Sequence, residues 1–465
     1  MRREELEEEV AKLRRENEQL REELAHALAV IAQLREELDK SKSEPPSFLK
    51  PNASRKDKAD KHPRRKRAKE ENGARRRDAP TQTIQHKLEQ CPTCAYPLRH
   101  HRVAGQRQVI ELPPPQPVEI TEHQLFKSWC ARCSKWHYAS VDLSGQVVGQ
   151  SRMGVRIASL IAYLRTTLRM PVRLIREYLL SMHNLSISQG EIVELLHRVT
   201  EVPKVQEAAQ AIKERVRQSD MVHGDETGWR EGGQNGHVWC FCTPQGERYY
   251  EYDKSRGGAV AHRILGTQFK GILSTDFYAA YNDLPCEHQR CWVHLLRDLH
   301  ELKEKHKADE AVLEWAVGVR KLYDTAQQRL RSEGEYSGQG PPTQQEREVL
   351  YVELMESVRA LGGKYACAKP HKAHPCHALC KRLLRHQDEL FRFVLQPGLS
   401  ADNNLAERSI RPVVVMRKVS GGSQSERGSR TRMTLASLLG TWRAKGLNPF
   451  LECLSLLSQP LVPLI

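Results

Sequence analysis

Apolar residues near the start of the chain recur with alternating spacings of four and three. The series covers about five heptads and includes one polar member: Leu6, Val10, Leu13, Asn17, Leu20, Leu24, Ala27, Ile31, Leu34 and Leu38. This pattern is typical of a coiled coil, and Asn17 at a core position favours a parallel dimer in one register. Residues 1–42 are therefore predicted to form a homodimerisation helix, although a single solvated amphipathic helix is the alternative.

Between residues 215 and 306 the pattern changes to short apolar runs separated by turns. Strands are predicted at the start of "MVHGDETGW", running into Asp225, in the hairpin "HVWCFCTPQGERYYEYDKS", at "GILSTD" and at "EHQRC", and helices at "AVAHRILG" and "WVHLLRDLHELKEKH". This order matches a ribonuclease H-like α/β core, with Asp225 and Asp276 at strand ends. A helical insertion at 307–395 and the last part of the core at 396–465 are expected to follow.

Residues 146–214 show helical periodicity. The segment "PVRLIREYLLSMHN" leads through "LSIS" to "QGEIVELLHRVT", where Ser188 and Glu191 predict a capping box. Two amphipathic helices joined by a short turn indicate a helix-turn-helix-like DNA-binding domain. A plain helical hairpin has the same pattern, so both interpretations stay open.

The charge of the chain narrows the choice of partners. Its 465 residues include 73 Lys and Arg against 58 Asp and Glu, which favours nucleic acid or a membrane surface. Residues 43–87 are predicted to be a basic disordered linker that contacts phosphates, with a solubilising tail as the alternative. We expect no membrane partner and a cytoplasmic, nucleoid-associated protein, because a long apolar run and a signal peptide are both missing.

Two C-x-x-C pairs, Cys91 with Cys94 and Cys130 with Cys133, flank strand-like sequence. Four thiolates suit tetrahedral Zn²⁺, so residues 88–145 are predicted to form a zinc-binding ribbon. The zinc would be structural, since protein ligands fill every coordination position. The separation of the pairs exceeds the usual spacing, so chance pairing stays open, as does a second zinc site in the Cys/His cluster at 367–380.

Three acids are candidates for chemistry: Asp225, Asp276 and Glu407. Cleavage of a phosphodiester requires stabilisation of the attacking and leaving oxygens in line, which two Mg²⁺ ions about 3.5 to 4 Å apart provide. Mg²⁺, or Mn²⁺ in its place, prefers carboxylate oxygens, and three acids from separate segments would suffice. Glu407 also follows Asn404 by three residues, a capping-box spacing that has a purely structural interpretation.

Four segments, "HGDETGW", "STDFYAAYN", "CWVHLLRDL" and "NNLAERSIRP", resemble DDE transposases of the insertion-sequence 66 (IS-66) type. The paired C-x-x-C motifs and the coiled coil agree, whereas "VSGGSQ" after Lys418 departs from the usual aromatic-containing segment. The resemblance implies that Asp225, Asp276 and Glu407 are the catalytic, metal-binding triad. It implies an enzyme that binds the terminal inverted repeats of an insertion sequence, cleaves DNA and transfers the strands to a target.

The resemblance also aligns Cys291 and His294 with a C-x-x-H segment of the family. We expect His294 to position active-site or DNA groups; zinc binding together with Cys286 and His288 is the alternative. The full set of residues expected to contact or position DNA is Trp229, Arg230, His294, Arg297, Asn404, Arg408, Arg411, Arg417 and Lys418.

Two members of that set have structural alternatives. Arg411 has the spacing for a helix salt bridge with Glu407, and Trp229 either stacks on a base or packs in the core. The expected partners are DNA, a second copy of the chain in a dimer or higher oligomer, and helper proteins of the same element. Other functions left open are a non-catalytic DNA-binding regulator and a ribonuclease H-type nuclease that acts on RNA hybrids.

Overall fold

The computed structural model describes Arg21 and residues 79–104, 106–331, 342–366 and 374–459. Apart from Arg21, the predicted coiled coil at 1–42 lies outside these residues, as do most of the linker at 43–87 and residues 367–373 of the Cys/His cluster. The chain divides into two compact units, Met1–Leu112 and Pro113–Ile465. The predicted ribbon at 88–145 has parts in both units, and each part is described by itself.

In the first unit, a tight turn surrounds the first cysteine pair. The backbone N–H of Ala95 donates to the carbonyl of Cys91 at 2.8 Å, and the N–H of Cys91 donates to the carbonyl of Tyr96 at 2.9 Å. Ala95 has a φ of 59°, in the left-handed region that such turns require. The second unit carries the other pair on an antiparallel hairpin of β1 (Lys127–Cys130) and β2 (Lys135–Tyr138).

Four helices precede the main sheet. They are α1 (Val155–Thr166), α2 (Val172–His183), α3 (Gln189–Glu201) and α4 (Pro203–Arg217). The predicted capping box at the start of α3 is half formed. The hydroxyl of Ser188 accepts a hydrogen bond from the N–H of Glu191 at 3.0 Å, but the carboxylate of Glu191 pairs with Arg152 instead of returning to the cap.

A five-stranded mixed sheet has the order β5-β4-β3-β6-β7. Its strands are β3 (Met221–Glu231), β4 (Gln234–Cys242), β5 (Arg248–Asp253), β6 (Ile272–Thr275) and β7 (Glu287–Arg290). The β3, β4 and β5 strands are antiparallel, whereas β6 and β7 run parallel to β3. Helix α5 (Gly258–Leu265) connects β5 to β6 and covers one face through Val260, Ile264 and Leu265. These elements confirm that strands and helices lie where they were predicted between 215 and 306, except that β3 extends beyond Asp225 to Glu231.

The next six helices of the described chain follow β7, and those after the first lie in the segment 307–395 in which a helical insertion was predicted. They are α6 (Trp292–Lys305), α7 (Glu310–Arg331), α8 (Gln344–Ala366), α9 (His377–Arg385), α10 (Gln387–Leu390) and α11 (Arg392–Leu395). Their shared core contains Trp292, Trp315 and Phe391, all almost fully buried. Aromatic packing between Trp292 and Phe391, with ring centroids 4.9 Å apart, joins the start of α6 to the last part of the insertion.

Three helices complete the described chain: α12 (Asn404–Ser420), α13 (Glu426–Ala444) and α14 (Pro449–Ser458). Leu435, Leu438 and Leu439 of α13 lie in one hydrophobic core with Ile161 of α1 and Ile192 of α3. The helices before the sheet are therefore buried by helices that follow the sheet. Among the described residues, none of the helices is both long and apolar enough to cross a membrane.

Candidate active site

Asp225 lies on β3, and Asp276 lies just after the neighbouring parallel strand β6. The parallel pairing of β3 with β6 ends at His223 and Ser274, and Asp276 directly follows β6. The prediction that Asp225 ends a strand was wrong, because β3 continues to Glu231 as one side of a hairpin with β4. The first part of β3 pairs with both β4 and β6, whereas the part beyond the aspartate stays paired with β4 and meets Ser423 only at Glu231.

Helix α12 brings Glu407 to this sheet by packing against β3 and β4. The predicted capping box was wrong. The side chain of Asn403, the residue before the helix, donates to the carbonyl of Gly224 at 2.7 Å and caps no helix N–H. Asn404 instead contacts Asp402, whose carboxylate accepts from the Asn404 backbone N–H at 3.0 Å and from its Nδ2 at 2.7 Å.

The three predicted acids share one electrostatic environment. Burial, followed by the charges of Glu226, Asp276 and Glu407, raises the pKa of Asp225 from 3.8 to about 8. A backbone hydrogen bond from Glu226 to Asp225 Oδ1, 2.9 Å long, opposes this shift. Acids gathered in this way repel each other when ionised, and a divalent cation would offset that repulsion.

Two buried atoms at the site have no hydrogen-bond partner among the described residues. They are Oε1 of Glu407 and Nδ1 of His294, which lie 3.8 Å apart. The ligand atoms of Cys291, His294 and Glu407 all lie within 4.8 Å of one another. Unpartnered oxygen and nitrogen atoms beside clustered acids suit a cation, so the residues present fit a metal ion.

Cys286 and His288 do not join this group. His288 Nε2 lies 3.1 Å from the carbonyl of Leu284 and 3.9 Å from the thiol of Cys286. The thiol of Cys291 instead accepts a hydrogen bond from the N–H of Asn403 at 3.2 Å. The alternative of a local zinc site built from Cys286, His288, Cys291 and His294 therefore has no support in the geometry.

Arg290, the last residue of β7, holds the backbone of Asp276 through a hydrogen bond to its carbonyl. Its side chain is 0% exposed, and Nη1 donates to the carbonyl of Asp276 at 3.0 Å and to the hydroxyl of Thr275 at 3.1 Å. Nη2 reaches Asn282 at 2.9 Å, and Nε pairs with the carboxylate of Glu389. The sequence analysis missed Arg290, although a lone Arg at the end of the predicted strand "EHQRC" was a usable signal.

Glu226, next to Asp225, was also missed by the sequence analysis. Its buried carboxylate accepts hydrogen bonds from Arg256 Nη2 at 2.7 Å and from the hydroxyl of Tyr281 at 2.6 Å. Because Arg256 pairs with it, Glu226 is not a free fourth acid, although its charge still contributes to the raised pKa of Asp225. The adjacent acids in "HGDETGW" were the sequence signal for this arrangement.

The predicted DNA-contacting residues divide by exposure. Exposed side chains belong to Arg230, Arg297, Arg408, Arg411 and Lys418. Arg411 and Lys418, four and eleven residues after Glu407, share its face of α12. The considered salt bridge is absent from the described chain, in which the basic nitrogen found within 4 Å of the Glu407 carboxylate is Nδ1 of His294, 3.8 Å away, and not a nitrogen of Arg411.

Two other members of the set contact protein groups. Arg417 Nη1 donates to the hydroxyl of Thr227 at 3.1 Å. Trp229 is 1% exposed and packs against Ile410 and Val413 of α12, so packing is the arrangement found for its ring.

The "VSGGSQ" segment docks on the end of β3. The N–H of Ser423 donates to the carbonyl of Arg230 at 2.8 Å, and the N–H of Gly232 donates to the carbonyl of Ser423 at 2.9 Å. Gly422 has a φ of 121°, and a Cβ there would lie 2.2 Å from the carbonyl oxygen of Arg230. This close approach and the positive φ require glycine at this position.

The cysteine pairs carry features that favour thiolates. Hydrogen bonds from the backbone N–H groups of Thr93 and then Cys94 lower the pKa of the Cys91 thiol. A hydrogen bond from the backbone N–H of Cys133 is the largest cause that lowers the pKa of the Cys130 thiol. The ligand atoms of Cys130, Cys133 and His137 lie within 4.8 Å of one another. His137, on β2, was missed because only cysteine spacings were considered.

The described part of the Cys/His cluster at 367–380 forms no such group. Cys376 and Cys380 are buried, and the Cys380 thiol donates to the carbonyl of Leu361. His377 Nδ1 lies 2.8 Å from the carbonyl of Tyr365. These side chains contact the helical core individually, as expected for incidental thiols.

Comparison with known families places this geometry in context. The family model described as "Transposase IS66 family" matches residues 150–431, which include Asp225, Asp276 and Glu407. The chain belongs to the IS66 transposase family. The matched segment of this IS66-family chain begins after both cysteine pairs and ends within α13, so it covers the helices α1 to α4, the sheet and α12.

Curated relatives of this IS66-family chain come from Sinorhizobium fredii (strain NBRC 101917 / NGR234). Uncharacterized protein y4qI is 28% identical over 273 residues, which are 53% of this chain and 49% of y4qI. Uncharacterized protein y4jD is 26% identical over 220 residues, 43% of this chain and 40% of y4jD. The chain thus spans about half or less of the length of these relatives.

Among solved structures, one match is to a chain in the simian T-cell lymphotropic virus intasome in complex with PP2A regulatory subunit B56 gamma. It is 15% identical and covers 34% of the IS66-family chain and 64% of the other chain, with a TM-score of 0.15. That TM-score is too low for a comparison of folds.

Proposed function

We propose that this protein is a DDE transposase that binds the terminal inverted repeats of its insertion sequence and catalyses Mg²⁺-dependent DNA strand cleavage and strand transfer. The observation that supports the proposal is the electrostatic coupling of the three acids, since the charges of Asp276 and Glu407 contribute to the raised pKa of Asp225. A pair of Mg²⁺ or Mn²⁺ ions held there would stabilise the attacking and leaving oxygens of an in-line displacement at phosphorus.

Residues of the chain prepare this chemistry. Arg290 fixes the backbone of Asp276, and Asn403 fixes the start of α12, so the acids are held before substrate arrives. His294 lies within reach of Glu407 and can orient it. Arg411 and Lys418 share the face of Glu407 and are placed to bind phosphates of the DNA beside the acids.

The strand order β5-β4-β3-β6-β7 supports a ribonuclease H-like core with a helical insertion. We further propose that residues 146–214 bind DNA in a helix-turn-helix-like manner and that residues 1–42 join two copies of the chain, since two DNA ends must be brought together. Helper proteins of the same element are additional candidate partners.

Structural zinc is proposed at the cysteine pairs. Cys130 and Cys133 supply two ligands, and either Cys91 with Cys94 or His137 supplies more. The lowered pKa values of the Cys91 and Cys130 thiols support this assignment, because zinc binds the thiolate form.

Nicking of a supercoiled plasmid carrying the inverted repeats, in the presence of Mg²⁺, tests the proposal. Asp225→Asn, Asp276→Asn and Glu407→Gln should each slow nicking by on the order of 100-fold or more, because each removes a metal ligand. All three should bind the end DNA nearly as well as the wild type. Glu426→Gln, an exposed glutamate at the start of α13, is the matched control and should retain activity.

Three other outcomes would contradict the proposal. Full nicking by any of the three acid variants would remove that residue from the catalytic site. Binding of end DNA without any nicking by the wild type would indicate a regulator. Cleavage confined to RNA–DNA hybrids would indicate a nuclease of the ribonuclease H type.

A further inference from the structure

A thiol, an imidazole and a carboxylate from two segments of the chain meet at the candidate site. Cys291 directly precedes α6 and His294 lies in its first turn, so their spacing of three residues places both on one side of the helix. Glu407 comes from the first turn of α12. The ligand atoms of the three residues lie within 4.8 Å of one another, and we call this group the Cys–His–Glu cluster.

The sulfur of the cluster has a fixed position. The N–H of Cys291 donates to the carbonyl of Thr275 at 2.9 Å, and the N–H of Trp292 donates to the carbonyl of Ala401 at 3.0 Å. Cys291 is 0% exposed, and its thiol accepts a hydrogen bond from the N–H of Asn403 at 3.2 Å. Because the backbone on both sides is held, little order has to be gained when an ion binds.

The other two members of the cluster each present a buried atom that lacks a hydrogen-bond partner within the described part of the chain. These atoms are Oε1 of Glu407 and Nδ1 of His294, 3.8 Å apart. Leaving such atoms unpaired is unfavourable, and a cation between them would satisfy both. The side chains of His294 and Glu407 are 28% and 36% exposed, so an ion can reach the cluster from solvent.

The chemistry of the three ligands indicates which ion. In a tetrahedral zinc site with metal–ligand bonds of about 2.0 to 2.3 Å, neighbouring ligand atoms lie roughly 3.5 Å apart. The 3.8 Å between Oε1 of Glu407 and Nδ1 of His294 is close to this value. A thiolate together with an imidazole suits Zn²⁺, whereas Mg²⁺ takes oxygen ligands. Three protein ligands would leave the fourth position of Zn²⁺ to water.

We propose that the Cys–His–Glu cluster binds one thiophilic divalent cation of the Zn²⁺ class and that this ion inhibits DNA cleavage by withdrawing Glu407 from Mg²⁺. The inhibition rests on the proposed function, whereas the binding of the ion does not. When the ion binds, the Cys291 thiol gives up its proton to solvent and the sulfur becomes a thiolate ligand. The Glu407 carboxylate then ligates the thiophilic ion, so less of its charge is left for the catalytic cations.

This cluster differs from the zinc site proposed at the cysteine pairs. It offers a single thiolate, whereas Cys130 and Cys133 alone offer two, so the cluster should hold Zn²⁺ less firmly. Dialysis against metal-free buffer should therefore empty the cluster and leave zinc at the cysteine pairs. The ion at the cluster is exchangeable, and its occupancy follows the concentration of free zinc.

Titration of the dialysed chain with Co²⁺ tests the binding, because a cobalt–thiolate bond absorbs in the near ultraviolet. The wild type should show one more thiolate-bound Co²⁺ per chain than Cys291→Ser, whose hydroxyl can still accept the hydrogen bond from Asn403. His294→Gln and Glu407→Gln keep the thiol and should raise the Co²⁺ concentration for half-saturation by on the order of 10-fold or more. Cys286→Ser is the matched control, because its partly exposed thiol lies outside the cluster.

Inhibition of plasmid nicking by Zn²⁺ at a fixed Mg²⁺ concentration tests the consequence. The rate of each protein is expressed relative to its own rate in Mg²⁺ alone. The wild type and Cys286→Ser should be inhibited at the same zinc concentration, whereas Cys291→Ser should need on the order of 10-fold more zinc for the same inhibition.

Equal cobalt–thiolate absorption in the wild type and Cys291→Ser would overturn the site. An equal loss of absorption in Cys286→Ser would also overturn it, since the effect would then not belong to the cluster. Equal zinc inhibition of the wild type and Cys291→Ser would overturn the inhibitory role. A wild type that fails to nick would overturn the proposed function and the inhibitory role with it, while the Co²⁺ titration, which does not depend on nicking, would still decide whether the site exists.

Discussion

Asn403 Nδ2 donates a hydrogen bond to the backbone carbonyl of Gly224, 2.7 Å away, and so joins the residue before α12 to the residue before Asp225. Oδ1 of the same buried side chain lies 3.2 Å from His223 Nδ1. The backbone N–H of Asn403 donates a hydrogen bond to the thiol of Cys291. Three segments that carry Asp225, His294 and Glu407 thus converge on a single amide.

Asn403→Ala should therefore disturb catalysis more than stability. The substitution leaves the Gly224 carbonyl and His223 without this partner, which should lower the free energy of unfolding by about 1 to 3 kcal/mol. Loss of a group that positions metal ligands should reduce nicking by about 10- to 100-fold and raise the Mg²⁺ concentration needed for half-maximal activity. Urea unfolding and a Mg²⁺ titration of plasmid nicking measure the two effects.

Asn448→Ala provides the matched control for this prediction. Asn448 caps α14 by accepting hydrogen bonds from Phe450 and Leu451, so its loss should cost about 1 kcal/mol. It is not part of the site, and its Mg²⁺ requirement should match the wild type. An equal rise in the Mg²⁺ requirement of both variants would show that Asn403 acts only through stability.

The raised pKa of Asp225 predicts a pH dependence of stability in the presence of a chelator. Because the pKa is about 8 in the folded protein and 3.8 as the ordinary value, the carboxyl stabilises the fold below about pH 4 and loses that contribution as pH rises through 8. Asp225→Asn has no such titration. Urea unfolding at pH 5.5 and 8.5 should show the variant gaining stability relative to the wild type at the higher pH; parallel pH profiles would contradict the assignment.

Glu389→Gln should destabilise the protein at neutral pH because it leaves the buried Arg290 without its acid. Burial opposes the shift, but a hydrogen bond from His386 and the charge of Arg290 lower the pKa of Glu389 from 4.5 to about 2. The carboxylate therefore stabilises the fold above pH 4.5 and loses that effect as pH falls towards 2. We expect a loss of about 2 kcal/mol at pH 7, a modest value because the Glu389 side chain is 27% exposed.

Asp324→Asn is the comparison for the Glu389 variant. Arg320 and Asp324 form an exposed pair on α7, so removing that charge should change the unfolding free energy by less than about 0.5 kcal/mol. The difference between wild type and Glu389→Gln should shrink in acid, whereas a constant difference from pH 7 to pH 2.5 would argue against the ion pair.

Zinc content should be one ion per chain by mass spectrometry, and Cys130→Ser should abolish it. Cys91→Ser and His137→Asn then separate the two ligand sets, since zinc lost only with Cys91→Ser indicates four cysteines. Zinc lost only with His137→Asn indicates the group of Cys130, Cys133 and His137. Two zinc ions per chain would instead support a second zinc site in the Cys/His cluster at 367–380. Zinc retained by Cys130→Ser would exclude the ribbon site.

Local periodicity was sufficient to predict the strands and helices around the site, because alternating and 3.6-residue patterns report directly on burial. It could not predict that β3 continues past Asp225, since a strand paired on two sides and a strand paired on one side have the same alternation. Asn403 stands at a position typical of a helix cap, yet its side-chain amide donates a hydrogen bond to the carbonyl of Gly224, 179 residues earlier. Contacts of such separation leave no mark on the sequence beside either residue.

The shared core of α1, α3 and α13 has a consequence for synthesis of the chain. Glu426 begins α13, and the ribosome reaches it 209 residues after Arg217 ends α4. At about 5 to 20 residues per second, this interval lasts roughly 10 to 40 s. During that time Ile161 and Ile192 have not yet met the leucines of α13. The described helices that precede the sheet in this unit thus reach their final packing only after Glu407 has been synthesised.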